Sequence, residues 1–179
     1  MAKIHKIREP RILFGEGPTE GMFLERLKQE YSQELADKLI VVKHGSGGSP
    51  GSVLLELKKK YLDVSHAHTP ALVLIDADKG LDDDAKAILE EHSNIEVIFS
   101  KPQCLEGLLL DLLDDLPSKG QQTSDNLKKV FQKQYLGGGQ SVRKHFKQKR
   151  ETLFPRDLLE MHKAAHPVLK EIYKFLGLP

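Results

Sequence analysis

Four short apolar runs punctuate the first part of the chain: Arg11–Phe14, Leu39–Lys43, Ala71–Ile75 and Ile95–Phe99. Each is nearly continuous in Ile, Leu, Val and Phe rather than alternating with polar residues, which is the pattern of strands buried on both faces. Between them the period changes to that of a helix. Thr19–Leu35 sets Phe23, Leu24, Leu27, Tyr31 and Leu35 on one face, and Ser52–Tyr61 and Asp83–Glu91 are shorter versions. Strands alternating with helices in this way predict βαβ crossovers and an α/β fold with a parallel sheet of about four strands.

Beyond Phe99 the pattern becomes helical. Gln103–Leu113 is an apolar helix with a leucine run, ended by Asp114-Asp115-Leu116-Pro117. A polar loop, Ser118–Ser124, leads to helices around Asp125–Tyr135 and Ser141–Lys149, with Gly137-Gly138-Gly139 as a hinge between them. Pro155–Leu176 is a last helical region, broken or kinked at Pro167. The expected organisation is an α/β core over residues 1–116 and a helical C-terminal extension over 117–179, packed on the core. No internal repeat is present.

Composition narrows the class only a little. A chain of 179 residues with 39% hydrophobic and 30% charged residues suits one globular domain with a modest extension. The single cysteine, Cys104, excludes an internal disulfide and a cysteine-rich zinc site. No apolar run approaches the ~20 residues of a membrane helix. The basic N-terminus has no apolar signal region behind it, so the cytoplasm is the expected compartment.

Charge changes the picture more, because it is segregated. The formal net charge is only +1, yet Asn126–Arg150 carries eight Lys and Arg and no Asp or Glu, leaving −7 for the remainder. Arg143, Lys144, Lys147, Lys149 and Arg150 are the candidate contacts to a nucleic-acid backbone, with Phe131, Tyr135 and Phe146 interleaved as stacking candidates. For the aromatics, inward packing under a solvated charged face is the preferred reading.

The candidate chemistry is acidic and sits at strand ends, where loops converge in an open parallel sheet. The first strand runs into Gly15-Glu16-Gly17-Pro18-Thr19-Glu20. The glycines allow a sharp turn, Thr19 is placed to cap the following helix, and Glu20 falls in its first turn. The third strand runs into Asp76-Ala77-Asp78-Lys79, and strand alternation would turn Asp76 and Asp78 the same way. Converging carboxylates repel unless a cation neutralises them or some stay protonated. Oxygen ligands without thiolates or paired imidazoles favour Mg²⁺ or Mn²⁺ over zinc.

Gly15–Glu20 followed by Asp76-Ala77-Asp78 resembles the Toprim signature of topoisomerases, primases and OLD-type nucleases. The stretch from Ser100 to Leu110, with Pro102 and Glu106, is similar to a Ser-x-Pro…Glu-x-Trp-Leu-Leu segment of RloB-like Toprim proteins. Leu105 and Leu108 stand where that family has aromatics, and Lys101 where it has a small polar residue. The resemblance spans roughly Arg11 to Leu113. It implies a Toprim-like, Rossmann-like fold with Glu16, Asp76 and Asp78 as metal ligands and Glu20 and Glu106 assisting or holding a second ion. It further implies Mg²⁺- or Mn²⁺-dependent cleavage of DNA or RNA in prokaryotic anti-phage defence or restriction. A separate ATPase subunit and a homo-oligomer are the partners it suggests. Catalysis is then expected from Glu16, Asp76, Asp78 and Glu106, with Lys101 or Lys79 neutralising the phosphate. Primase-like nucleotidyl transfer and a non-catalytic nucleic-acid- or protein-binding module are the alternatives.

Weaker signals complete the reading. The glycine-rich His44–Ser52 segment is a flexible connector on the same rim, whose amides could cradle a phosphate. His162 and His166 are four apart, a zinc-compatible spacing without a third ligand, so an exposed pair is expected. His66 and His68 sit in a polar turn, and Cys104 reads as a small buried residue rather than a nucleophile.

Overall fold

All four apolar runs form strands, each extending a residue or two beyond its hydrophobic core. In the computed structural model, which describes residues 10–62, 67–137 and 141–179, they are β1 (Pro10–Gly15), β2 (Leu39–His44), β3 (Ala71–Asp76) and β4 (Ile95–Ser100). His66 and the Gly138-Gly139 part of the expected hinge lie outside the described residues. The helices between the strands are α1 (Pro18–Glu30), α2 (Pro50–Tyr61) and α3 (Asp83–Glu91). After β4 come α4 (Leu105–Leu112), a 3₁₀ turn at Lys119–Gln121, α5 (Ser124–Tyr135), α6 (Val142–Leu153), α7 (Arg156–Lys163) and α8 (Pro167–Leu176).

The sheet order is β2-β1-β3-β4 and every pairing is parallel. The chain therefore leaves β1 in one direction through α1 to β2, then crosses back through α2 to β3 on the other side. That reversal makes the gap between the carboxyl ends of β1 and β3 the switch point of a Rossmann-like α/β sheet. Among the described residues no helix is long and apolar enough to cross a membrane.

Alternation along the strands divides the interior in two. Leu13, Leu72 and Leu74 face α1, α4 and the C-terminal helices, while Ile12, Phe14, Ala71, Val73 and Ile75 face α2 and α3. β3 is buried along its whole length, as a central strand covered on both faces must be. The expectation of two-faced burial fails at β2 and β4, which are sheet edges with several partly exposed or exposed residues. A continuous apolar run marks a parallel strand here without saying whether it is central.

The helical third of the chain shares the first of these cores. Phe131 and Phe146 are fully enclosed, and Phe146 sits 6.3 Å from Phe154, whose ring meets Phe23 of α1 at 5.8 Å. Tyr31 and Tyr173 stack edge to face at 5.1 Å and tie α8 to the end of α1. Phe131 and Phe146 are thus core residues, not bases' stacking partners, and Tyr135 donates its hydroxyl proton to Asp115. Pro167 starts a new helix instead of kinking one. Lacking an N–H, it occupies the first turn of α8, where no intrahelical donor is needed.

Candidate functional site

Glu16 leaves β1 directly beside the end of β3. Its N–H donates to the carbonyl of Leu74 at 2.9 Å, and its Oε2 accepts the backbone N–H of Asp76 at 3.0 Å. The flanking glycines serve close packing rather than unusual backbone angles. A Cβ on Gly15 would lie 2.5 Å from the Gly21 nitrogen and 2.6 Å from Glu20 Cβ, so only glycine lets α1 approach the strand. Gly17 has an extended backbone (φ −134°) and is itself the N-cap, a role expected of Thr19, which lies inside the first turn. Glu20 reaches back so that its Oε2 accepts the Gly17 N–H at 2.9 Å, closing the first turn of α1.

Asp76, 8% exposed, is held from three directions. Its Oδ1 accepts the Leu105 N–H at 2.9 Å and lies 3.0 Å from the Ser100 hydroxyl, and its Oδ2 faces Lys128 Nζ at 3.4 Å. Leu105 opens α4, so an anion at this point is favoured by free N–H groups and the helix dipole. The β4–α4 connection lies tightly against that helix: a Cβ on Gly107 would come within 2.0 Å of the Pro102 carbonyl oxygen. Glu106 follows Leu105 and is 7% exposed.

These groups share one electrostatic field. Burial, with Asp76 and then Glu106 adding repulsion, raises the Glu20 carboxyl to about 7. Burial likewise holds Glu106 above the usual carboxylate range, Asp76 adding to the effect and Lys128 opposing it. Glu16 is raised by burial and by Asp76 and Asp78, against the Asp76 N–H bond and Lys79. For Lys128, burial opposes the charge, but Asp76 and Glu106 outweigh it and its pKa lies above the ordinary lysine value. Around Asp76 the rim thus gathers the carboxyl groups of Glu16, Glu20 and Glu106 with the ammonium of Lys128.

Other predicted residues fall outside this cluster. Asp78 lies beyond the end of β3 and is exposed, so strand alternation does not govern it and its influence reaches Glu16 through space. Lys101 is exposed in the β4–α4 connection. Lys79 Nζ donates to the Gly48 carbonyl at 3.1 Å, tying the β3 loop to the glycine-rich segment. That segment is no phosphate cradle over its first residues. The amides of Gly45 and Gly47 donate to the carbonyls of Gly15 and Glu16, and that of Ser46 to the Glu56 carboxylate.

Among the described residues no group of three or more His, Cys, Asp or Glu side chains is placed to hold an ion as it stands. The donor chemistry nonetheless suits a hard divalent cation: Glu16, Glu20, Asp76 and Glu106 offer partly or fully buried carboxylates, with Asp78 nearby. Lys128 is the residue that sequence reasoning passed over, since nothing local distinguishes it among eight cations. Ser100 belonged to the resembling segment but had no role assigned.

The basic stretch separates into different environments. Arg143, Lys144, Lys147 and Arg150 line a cleft of about 590 Å³ against α1 and the end of β2. Lys149 instead donates to the Tyr135 carbonyl at 2.7 Å. Cys104 is buried at the N-cap of α4, and burial with the Glu106 charge pushes its thiol up to about 12, which suits a packing residue. His162 and His166 do not share a helix: His162 is in α7, and His166 caps α8, buried, with Nε2 3.1 Å from Asp111. The expected exposed pair is therefore corrected for both: His166 is buried, and His162 is partly buried with its Nε2 enclosed.

No family model matches this chain, and no curated protein or solved structure matches it.

Proposed function

We propose that this protein is a divalent-metal-dependent nuclease of Toprim type, cleaving phosphodiester bonds in DNA or RNA. The observation that carries the reading is the Glu16–Asp76 hydrogen bond across the switch point, with Glu20 and Glu106 repelled by the same Asp76. The signature resemblance supports it independently, because its acidic residues are those that meet at this rim, Asp78 excepted. Buried carboxylates that cost stability when ionised are typical of a site built for a ligand rather than for the fold alone.

Glu16, Asp76 and Asp78 would hold Mg²⁺ or Mn²⁺, and Glu20 and Glu106 would assist or hold a second ion. A metal held there would supply charge neutralisation at the phosphate and a lowered pKa for an attacking water. Glu16, whose carboxyl is raised above its ordinary value by burial, would be a ligand or the general base. Leu105 N–H and Ser100 fix the orientation of Asp76. Lys128 carries the countercharge of Asp76 in the metal-free protein, and Lys79 and Lys101 are the other cations within the same loops. A cytoplasmic role in prokaryotic defence or restriction, beside a separate ATPase subunit and in a homo-oligomer, belongs to the same proposal.

The test is cleavage of single- and double-stranded DNA, structured RNA and tRNA with Mg²⁺ or Mn²⁺. Cleavage by wild type that falls at least a hundredfold in Glu16→Gln and Asp76→Asn is expected. Equal cutting by those variants, or none by wild type, defeats the proposal. The Lys128–Asp76 ion pair favours a second reading, a non-catalytic binding module in which the ammonium is the permanent counterion. Under that reading Mn²⁺ leaves the melting temperature unchanged. Templated nucleotide incorporation would point instead to primase-like transfer.

A further inference from the structure

The cleft beside the carboxylate rim has the features of a binding site in its own right. One wall is a stripe of α1 (Pro18, Gly21, Met22 and Glu25), and its floor is the carboxyl end of the edge strand β2, at Val42, Lys43 and His44. α6 supplies the other wall, with Arg143, Lys144, Lys147 and Arg150. Five cations therefore surround it against one carboxylate, Glu25, which already pairs with Lys28 at 3.6 Å. Among the described residues Arg143, Lys144 and Lys147 have no ion-pair partner.

Arg150 is the decisive residue. It is only 9% exposed, its guanidinium donates to the Met22 carbonyl at 3.1 Å and to Gln29 at 3.4 Å, and it has no carboxylate partner among the described residues. Its Nε is buried without a hydrogen-bond partner. A buried guanidinium with no counterion is costly to keep, and an anion entering the cleft that Arg150 lines would supply one. Met22 and Val42 add an apolar surface among the cations.

We infer that this cleft takes one unpaired nucleotide of a nucleic-acid strand, its base against Met22 and Val42 and its phosphates on Arg150, Lys144 and Lys147. A volume of about 590 Å³ falls within the range of small-ligand sites, roughly 300–1,000 Å³, and suits a single nucleotide. A duplex presents its backbone on a convex surface with its base faces stacked away, so it offers nothing to the apolar floor. The cleft opens on the same sheet rim as Glu16: Pro18 is two residues on, and the Gly45 N–H following β2 donates to the Gly15 carbonyl at 2.9 Å. Choosing a nucleic-acid strand over another polyanion rests on the nuclease reading of that rim. The substrate class becomes single-stranded or locally unpaired nucleic acid.

The experiment is fluorescence anisotropy with a labelled ten-nucleotide strand in EDTA, so that binding is read without metal or cleavage. The full chain should bind the strand at least tenfold more tightly than the matching duplex or an abasic strand of equal length. Lys144→Gln with Lys147→Gln, both on exposed positions, should weaken binding about tenfold and lower the salt slope by about 1.4, since each single-strand phosphate contact contributes about 0.7. Met22→Ala should weaken binding of the normal strand several-fold and leave the abasic strand unaffected. Equal affinity for duplex and single strand, an unchanged Kd in the double variant, or full competition by an acidic peptide at strand-equivalent concentration would each overturn the inference. Far-UV circular dichroism and thermal melts verify that the variants are folded. Strand binding without cleavage in Mn²⁺ defeats the nuclease reading alone. Cleavage that survives the cleft variants with unchanged binding defeats this inference alone.

Discussion

Glu16 accepts the backbone N–H of Asp76 at 3.0 Å, although the two residues are sixty positions apart. The bond joins the carboxyl ends of the two strands that border the switch point and leaves the Asp76 carboxylate free to turn toward α4. Removing the acceptor leaves a half-buried N–H without its partner, while the strand pairing beside it remains. Glu16→Ala should therefore lower stability by about 1–2 kcal/mol by urea denaturation, and Glu16→Gln, which keeps an acceptor oxygen, by less than about 1 kcal/mol. Equal losses in the two variants would show that the bond carries no stability.

Asp76 anchors the first turn of α4 through Leu105 and meets the Ser100 hydroxyl. Asp76→Ala should cost about 2–3 kcal/mol, because buried donors lose a charged acceptor. Asp76→Asn retains one oxygen and should cost less, yet it should abolish any Mn²⁺-induced rise in melting temperature. A metal-dependent rise that persists in Asp76→Asn would place the ion elsewhere.

Glu20 gives the protein a pH dependence of definite sign. Its folded-state pKa, about 7, lies above its unfolded value near 4.5, so the native state binds the extra proton between these values. Its contribution is fully present below about pH 4.5 and is lost as pH rises through 7, worth on the order of 3 kcal/mol at most. Metal-free protein should thus lose stability from pH 5 to 7.5 in chemical denaturation, and Glu20→Gln should flatten that slope. Saturating Mg²⁺ should flatten it too by favouring the ionised carboxylates. A wild-type profile that rises over this interval contradicts the assignment.

Lys128 offsets part of the repulsion that Asp76 and Glu106 exert on each other. Lys128→Met should destabilise the EDTA-treated protein by about 1 kcal/mol, the ammonium being partly exposed. The same variant should gain more melting temperature from Mn²⁺ than wild type does, because the ion no longer competes with an ammonium. A smaller gain would mean that Lys128 supports metal binding.

Gly15→Ala tests the packing of α1 on β1. The added methyl would overlap the Gly21 nitrogen and Glu20 Cβ, neither of which is a flexible side-chain end. A loss of about 2–4 kcal/mol is expected, with displacement of Glu20. Alanine at Gly120, where nothing lies within 4 Å and the backbone is not left-handed, should change stability by less than about 0.5 kcal/mol.

Much of this architecture is local in origin and was legible in the residues themselves. Strand runs, helix periods and their alternation are set by side-chain burial over a few positions, so the parallel α/β class and the strand-end location of Glu16 and Asp76 follow from the chain alone. The inward packing of Phe131 and Phe146 was the expected arrangement under a solvated charged face. Tertiary structure decided the rest, because it depends on what comes from far along the chain. Strand order made β2 and β4 edges. Lys128 became the partner of Asp76 only because α5 folds back over α4, fifty-two positions away. Gly15 reads as a turn residue, yet its reason is the closeness of α1. His162 and His166 look like one helical pair until Pro167 begins a second helix. Local sequence determines which way a side chain tends to face; only the folded chain determines what it meets there, since long-range packing brings together residues that no local pattern connects.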